Sequence, residues 1–245
     1  MFFFIFMIYL YMRKFFVEDE IKDFVVIEND FNHIINVLRK NIGDTIYVFN
    51  NKGIDYECEI TKINKRNLEA KVLLKKENLK ENSCKISVFQ ALIKNDKIEL
   101  IVQKLTELNI DNLFLFDSEF TVVKAKDNKT DKLTKVSLEA CKQCERSKSL
   151  FIDYVGDFNN LLLKLKEFDL VIFAYEKSLK KIKDYKFKDV KNVALIIGPE
   201  GGFSKIEQES LNKLSNVKEV SLSKNILRAE TANIYLSGIL MYEFN

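Results

Sequence analysis

With 245 residues, the chain is long enough for one large domain or two small ones, and its 47% hydrophobic residues can fill a sizeable core. Its formal net charge of +3 is too small to indicate a nucleic-acid-binding protein by itself. Four cysteines without a regular disulfide pattern favour the reducing cytoplasm, and with a single histidine the Cys-x-x-C pair lacks the ligands of a zinc site. We therefore expect a cytoplasmic protein that holds no metal.

Residues 1–11 are strongly apolar and carry no charge. The run falls short of the roughly 20 residues that cross a bilayer, and it lacks the basic start and the small-residue cleavage site of a secretory signal. Two interpretations are open at this point: a membrane-associated tail, and an extension that arises from an incorrectly assigned start codon. We expect no stable association with a membrane.

Residues 12–78 are predicted to form a small β-rich domain. Strand-like runs, separated by Asn-Lys-Gly and Lys-Arg-Asn turn signals, cover 24–27, 45–49, 54–60 and 68–74. One helix, 31–39, has Asp30 available as its cap and places on one face four apolar residues, Phe31, Ile34, Ile35 and Leu38. His33 also lies in this helix, where a packing role is more common than a catalytic one.

The polar run 75–83 is predicted to be a linker, and the second domain is predicted over 84–245. Strands and helices alternate beyond the linker. The strands are predicted at 85–92, 112–116, 169–174 and 193–197, and the helices at 96–108 and 130–144. This order is typical of an α/β domain with a largely parallel sheet.

The most informative stretch begins with five consecutive apolar residues, 193–197, which predict a strand buried on both faces. Pro199, the only proline in the chain, ends the strand because it lacks a backbone N–H. Gly201 and Gly202 allow a ligand to approach the main chain closely. Ser204 and a glutamate three residues later have the form of a capping box, which starts a helix. Taken alone, the stretch is either a ligand-binding turn or an ordinary strand-to-helix turn.

Residues 220–232 place a short strand, a polar loop and a new helix after the capped helix, so the two loops are expected to meet at one sheet edge. The segments IIGPEGGFS and LSKNILRAETA, with KNDKIELIVQKLTE at 94–107, closely resemble the bacterial 16S ribosomal RNA uridine-N3 methyltransferases of the SPOUT class. The resemblance runs from about Met12 to the end of the chain. Chains of this family typically begin near that methionine, so the resemblance favours the interpretation that residues 1–11 arise from an incorrectly assigned start codon.

The resemblance implies a fold, a cofactor and partners. The fold is an α/β SPOUT-type methyltransferase domain with a deep trefoil knot, preceded by a PUA-like β-barrel that grips RNA. The methyl donor is S-adenosylmethionine (SAM), with no metal, and the substrate is a uridine of 16S rRNA, in the small ribosomal subunit. A homodimer is also implied, whose interface helps to build the cofactor site.

The resemblance further implies roles for individual residues. SAM would be held by two loops that comprise Ile197, Gly198, Pro199, Glu200, Gly201, Gly202, Leu222, Ser223, Asn225, Ile226 and Leu227. Arg228 is predicted to stabilise the uridine anion as the N3 proton leaves. Glu230 is predicted to orient Arg228 or to take the proton, or else to be simply a favourable acid in the first turn of a helix. RNA contacts are implied for Arg13, Arg39, Lys94, Lys104 and Arg146.

Three positions depart from the family's common glycine, namely Asn109, Glu145 and Ser223. Asparagine tolerates left-handed backbone angles, so Asn109 is expected to be neutral. Ser223 has the most direct bearing on the predicted cofactor site. Two other functions stay open, a ribose 2′-O-methyltransferase of the same fold and a non-catalytic RNA-binding adaptor.

Overall fold

The computed structural model describes residues 13–78, 82–123, 129–185, 187 and 189–244, so segment 1–11 lies outside the described residues. The described residues form two compact units. The first contains the residues up to 78 together with Leu138–Ser149, and the second contains the rest. The predicted domain bounds, 12–78 and 84–245, do not anticipate that Leu138–Ser149 clusters with the first unit.

The first unit is built on a five-stranded mixed sheet. Its strands are β1 (Lys14–Phe16), β2 (Phe24–Ile27), β3 (Thr45–Phe49), β4 (Ile54–Ile63) and β5 (Leu68–Glu77). They lie in the order β1-β3-β4-β5-β2, with β1 parallel to β3 and the other neighbours antiparallel. The four predicted strands are confirmed, although β4 and β5 extend further than expected, and β1 was not predicted.

A short π-helix, His33–Val37, interrupts these strands and buries Ile34. As predicted, the same core is covered by Phe31, Ile35 and Leu38. The predicted side-chain cap was wrong, because the helix begins after Asn32 without a side-chain cap hydrogen bond. The carboxylate of Asp30 instead accepts a hydrogen bond from Lys142 Nζ at 2.9 Å. The Lys142 side chain is only 7% exposed, and a buried ammonium requires an anionic partner more than a helix end requires a cap.

Segment Leu138–Ser149 also joins the first unit through a buried lysine. The ammonium of Lys14 donates hydrogen bonds to Asp55 Oδ2 at 2.6 Å, to the carbonyl oxygen of Glu145 at 2.9 Å and to Ser147 Oγ at 3.2 Å. The amide of Asn78 donates to the same three acceptors. The lysine charge is therefore paired and fully hydrogen-bonded, as a charge removed from water must be.

The second unit contains a six-stranded sheet in which all neighbours are parallel. Its strands are β6 (Lys85–Ala91), β7 (Asn112–Phe116), β8 (Phe151–Gly156), β9 (Leu170–Ala174), β10 (Asn192–Ile197) and β11 (Val217–Val220). The order is β11-β9-β10-β6-β7-β8. The predicted parallel α/β arrangement is confirmed. The edge strand β8 was not predicted. Three of its six residues are exposed and only Ile152 is buried, so it lacks the continuous apolar run of a central strand.

Among the described residues, four α-helices lie between successive strands along the chain and a fifth follows β11: α1 (Asn95–Glu107), α2 (Lys129–Cys144), α3 (Phe158–Leu165), α4 (Lys205–Asn212) and, after β11, α5 (Ala229–Phe244). Successive residues of β10 enter two different cores, with Leu195 in one and Ile196 in the other. The first core packs against α1 and α5, and the second packs against α3 and α4. β10 is therefore covered on both faces, as its uninterrupted apolar run predicts.

Candidate active site

The glycine loop, residues 198–202, follows β10 directly. Gly202 N–H donates to the carbonyl oxygen of Pro199 at 2.9 Å, and Gly202 has φ of +72°, a left-handed angle that favours glycine. The predicted capping box is confirmed: Ser204 accepts from the Glu207 N–H, and the Glu207 carboxylate accepts from the Ser204 N–H at 2.9 Å. Strand, turn and helix start occur in the predicted order.

Gly198 is required for a steric reason. A Cβ atom at this position would lie 2.8 Å from the ring of Phe203. That ring cannot move away freely, because it packs against three other aromatic rings, those of Phe116, Phe158 and Phe173. Glycine here lets the loop begin in close contact with the aromatic core.

The second loop, residues 221–228, runs from β11 to α5. The short strand predicted at the start of 220–232 in fact ends at Val220. Ser223 Oγ accepts a hydrogen bond from Asn225 N–H at 3.1 Å, and Ser223 is not among the described residues with positive φ. Serine therefore fits this position without strain. By contrast, Asn109 and Glu145 have φ of 57° and 62°, the angles for which the family's glycine is suited.

The two loops line one cavity of about 750 Å³. Every predicted cofactor-binding residue lines it, and so do Arg228, Glu230 and Lys94. The cavity lies at the carboxyl ends of the parallel strands β9 and β10, next to the point where the strand order reverses around β10 and β6. Parallel α/β sheets commonly bind ligands at this kind of position.

The described residues that line the cavity carry balanced charges. Three cations and three carboxylates line it: Lys94, Lys97, Arg228, Glu176, Glu200 and Glu230. Glu230 lies in the first turn of α5, and its carboxylate is 3.4 Å from Lys97 Nζ. Its side chain is 12% exposed, whereas Arg228 is exposed, and the described residues hold no ion pair between the two. Of the three roles considered for Glu230, the structure shows its place in the first turn of the helix, and its carboxylate pairs with Lys97, a residue that the sequence analysis did not select.

Several other lining residues were also missed by the sequence analysis. Tyr175 and Glu176 follow β9, and Val122 and Val123 lie in the segment after β7. A usable signal existed for the first pair, because the residues after one parallel strand lie beside those after its neighbour. For Val122, which is 86% exposed, no local pattern indicated a site.

The predicted RNA-contacting residues fall in both units. In the first unit, the guanidinium of Arg13 donates to His33 Nε2 at 3.0 Å, Arg39 is exposed with φ of 55°, and Arg146 is half-buried. Burial, followed by the charge of Arg13, lowers the pKa of His33 below its ordinary value, so the neutral ring packs, as predicted. In the second unit, Lys94 is exposed at the cavity, and Lys104 forms an ion pair with Glu107 at 2.8 Å.

Two further observations concern metal ions and membrane spans. Among the described residues, no group of three or more His, Cys, Asp or Glu side chains is arranged to hold a metal ion. Within the same residues, no helix combines the length and the apolar character needed to cross a bilayer.

Comparisons with known proteins agree with this architecture. The RNA methyltransferase domain model matches residues 80–241, and the RNA methyltransferase PUA domain model matches residues 26–73. Ribosomal RNA small subunit methyltransferase E of Bacillus subtilis (strain 168) is 30% identical over 249 residues, which cover 95% of this chain and 97% of the relative. The Rickettsia conorii protein of the same name is 32% identical over 212 residues, which cover 83% of this chain and 82% of the relative.

Solved structures show the same fold. A Legionella pneumophila protein solved in complex with bound SAM superposes with a TM-score of 0.83 at 25% identity, covering 94% of this chain and 97% of that one. Ribosomal RNA small subunit methyltransferase E from Neisseria gonorrhoeae superposes with a TM-score of 0.81 at 23% identity, covering 95% and 98%. The prediction of a SPOUT-type methyltransferase domain that follows a PUA-like domain in the sequence is confirmed. The chain belongs to the ribosomal RNA small subunit methyltransferase E family.

Proposed function

We propose that this protein is a SAM-dependent methyltransferase that methylates N3 of a uridine in 16S rRNA of the small ribosomal subunit. The observation that carries the proposal is the cavity that the glycine loop and the second loop, residues 221–228 (the Arg228 loop), line together, in a chain that belongs to the small subunit methyltransferase E family. The Bacillus subtilis relative is named for this class of reaction. The choice of uridine N3 rests on the resemblance of the two loop motifs.

The cavity suits SAM in size and chemistry. Its volume of about 750 Å³ falls in the range of small-molecule sites, roughly 300–1,000 Å³. Main-chain groups of Gly198 and Gly201 are accessible to adenine and ribose, and Leu222 and Ile226 supply apolar surface. Ile226 is 86% exposed, so a bound aromatic ring would remove apolar surface from water. The lining carboxylates offer partners for the positive charges of SAM.

When bound, SAM supplies an already activated methyl group, so the residues of this chain need only position the two reactants and handle one proton. Uridine N3 is a poor nucleophile until its proton leaves. We assign Arg228 to the stabilisation of the resulting anion, because it is an exposed cation at the cavity without an ion-pair partner among the described residues. Donors in this role contribute roughly 3 kcal/mol of transition-state stabilisation.

Glu230 is the candidate for orienting cations or accepting the N3 proton. Its pairing with Lys97 holds the carboxylate at the cavity. As part of the same proposal, Arg13, Arg39 and Arg146 of the PUA-like unit, and Lys94 and Lys104 of the methyltransferase unit, contact RNA phosphates. Guanidinium and ammonium groups suit that role, and RNA is recognised largely through its shape and phosphates.

The proposal also includes a homodimer, a trefoil knot in the methyltransferase domain and a cytoplasmic location. Support for the homodimer comes from α5, which exposes the aromatic side chains of Tyr235 and Tyr242. Support for the cytoplasm comes from the cysteines, all of which are free thiols in the described residues. The trefoil knot rests on membership of the family alone.

Two measurements test the proposal. RNA from a deletion strain should lack one N3-methyluridine of 16S rRNA, and the gene should restore it.

Arg228→Ala should reduce methylation by roughly 100-fold or more while SAM still binds in calorimetry. Lys224→Ala is the matched control, since Lys224 is an exposed cation of the same loop that does not line the cavity. Undiminished methylation by Arg228→Ala would remove Arg228 from the mechanism. A methyl group found on ribose would instead indicate the 2′-O-methyltransferase, and no SAM binding by the wild type would indicate the adaptor.

A further inference from the structure

A pair of amide side chains lies buried beneath the cavity. Gln90 and Asn233 are both 0% exposed, and so is the neighbouring Ser237. Gln90 is the penultimate residue of β6 and pairs in register with Ile197, the last residue of β10. Asn233 lies on α5, one turn beyond Arg228 and Glu230. The pair therefore joins the strand that leads into the glycine loop to the helix that follows the Arg228 loop.

The hydrogen bonds of this pair run in one direction. Asn233 Nδ2 donates to Gln90 Oε1 at 2.8 Å. Gln90 Nε2 then donates to the carbonyl oxygens of Ala91 at 3.0 Å and Gly198 at 3.3 Å. Because the Gln90 oxygen accepts from Asn233, the Gln90 nitrogen is the end of the amide that faces the Ala91 and Gly198 carbonyls.

The orientation of the Gly198 carbonyl affects the geometry of the cofactor site. It belongs to the first residue of the glycine loop, and the following Pro199 has no backbone N–H with which to fix the turn. With the carbonyl hydrogen-bonded to Gln90 in the interior, the peptide plane between Gly198 and Pro199 has one orientation. The main-chain groups that the loop presents to the cavity depend on that orientation.

The two amides have different bonds to lose. Gln90 supplies a donor to the Gly198 and Ala91 carbonyls, so its removal leaves buried acceptors unpaired, whereas Asn233 reaches the loop through Gln90. A buried amide that fixes the orientation of a second amide, which in turn holds a loop carbonyl, indicates a positioning role. We propose that this pair is a positioning device that sets the Gly198 peptide for cofactor binding and couples it to the helix that carries Glu230. The inference rests on the proposed function, because it names SAM as the ligand of the loop.

The test separates positioning from stability. The double variant Gln90→Met/Asn233→Leu removes both amides while it keeps their approximate volumes. We expect it to unfold at a lower urea concentration than the wild type, because the Gly198 and Ala91 carbonyls lose the Gln90 donor. In the absence of urea, its affinity for SAM, measured by calorimetry on the folded protein, should be at least ~10-fold weaker. Ser237→Ala is the matched control, since Ser237 Oγ donates to Asn233 Oδ1 at 3.5 Å, whereas it is Asn233 Nδ2 that bonds to Gln90. Its affinity should stay within about twofold of the wild type.

Each result decides the question. A folded double variant with wild-type affinity would overturn the inference, because the glycine loop would then bind SAM equally well without either amide. If the double variant does not fold, Asn233→Leu decides instead, with weaker SAM binding supporting the inference and unchanged binding refuting it. A wild type that binds no SAM overturns the proposed function and this inference together. A wild type that binds SAM no more tightly than the folded double variant overturns the inference alone.

Discussion

Replacement of Glu207 by alanine should be among the most destabilising single changes in the second unit. This carboxylate is 5% exposed and is more than the end of a capping box. It accepts hydrogen bonds from Ser204 N–H at 2.9 Å, from Glu119 N–H at 2.9 Å and from Ser118 Oγ at 3.0 Å. Glu207 thus ties the first turn of α4 to the segment after β7, which contributes Val122 to the cavity.

The magnitude follows from these three bonds. A hydrogen bond to a charged group contributes about 1.5–3 kcal/mol, and a buried donor left unpaired costs about as much. Loss of the cap interaction alone costs about 1 kcal/mol. Since the three donors share one acceptor group and their contributions are not additive, we expect Glu207→Ala to lower the free energy of unfolding by about 3–5 kcal/mol.

The assay is equilibrium urea unfolding followed by circular dichroism, because the chain contains no tryptophan for fluorescence. Glu209→Ala is the matched control on the same helix. Its side chain is 59% exposed and its pair with Lys205 spans 3.9 Å, so it should change the free energy of unfolding by less than about 0.5 kcal/mol. If Glu207→Ala destabilised the protein by no more than the control does, the account of Glu207 as a link between helix and segment would be refuted.

Three further predictions concern pH, a buried charge and the glycine loop. Because the pKa of His33 is lowered from 6.5 in the folded chain, the unfolded chain binds more protons as pH falls below that value, so stability should decrease on acidification. His33→Gln should remove this decrease in urea midpoints compared at about pH 7.5 and 5.5, and a histidine resonance that titrates at or above 6.5 would contradict the reasoning. Lys14→Ala should destabilise the first unit by about 3 kcal/mol or more, whereas the exposed Lys22→Ala should have little effect, and similar unfolding curves for both variants would refute this. Gly198→Ala should weaken SAM binding, because the added Cβ would lie 2.8 Å from the Phe203 ring. An unchanged affinity in calorimetry would show that the Phe203 ring moves to make room and would contradict the reasoning.

The three positions where the family commonly has glycine differ in backbone angle, and the residue type alone does not predict that difference. Asn109 and Glu145 adopt left-handed angles, so the substitutions keep the glycine geometry at some conformational cost. Ser223 does not, and it instead accepts a hydrogen bond within its loop. The backbone angle that decides between these cases is a property of the folded loop and not of the residue type.

The sequence by itself determined the local elements of the site. An apolar run, a proline, paired glycines and a capping box specify strand, turn and helix through backbone geometry and nearest-neighbour hydrogen bonds, and all of these were predictable. Only the tertiary structure decided which distant side chains serve them. Glu230 pairs with Lys97 and not Arg228, Asp30 pairs with Lys142 and caps no helix, and Gln90 reaches Gly198 across 108 positions of sequence. Such contacts depend on how whole elements pack. A buried charge or amide bonds to whichever partner the fold brings within reach, and a local sequence pattern does not show which residue that partner is.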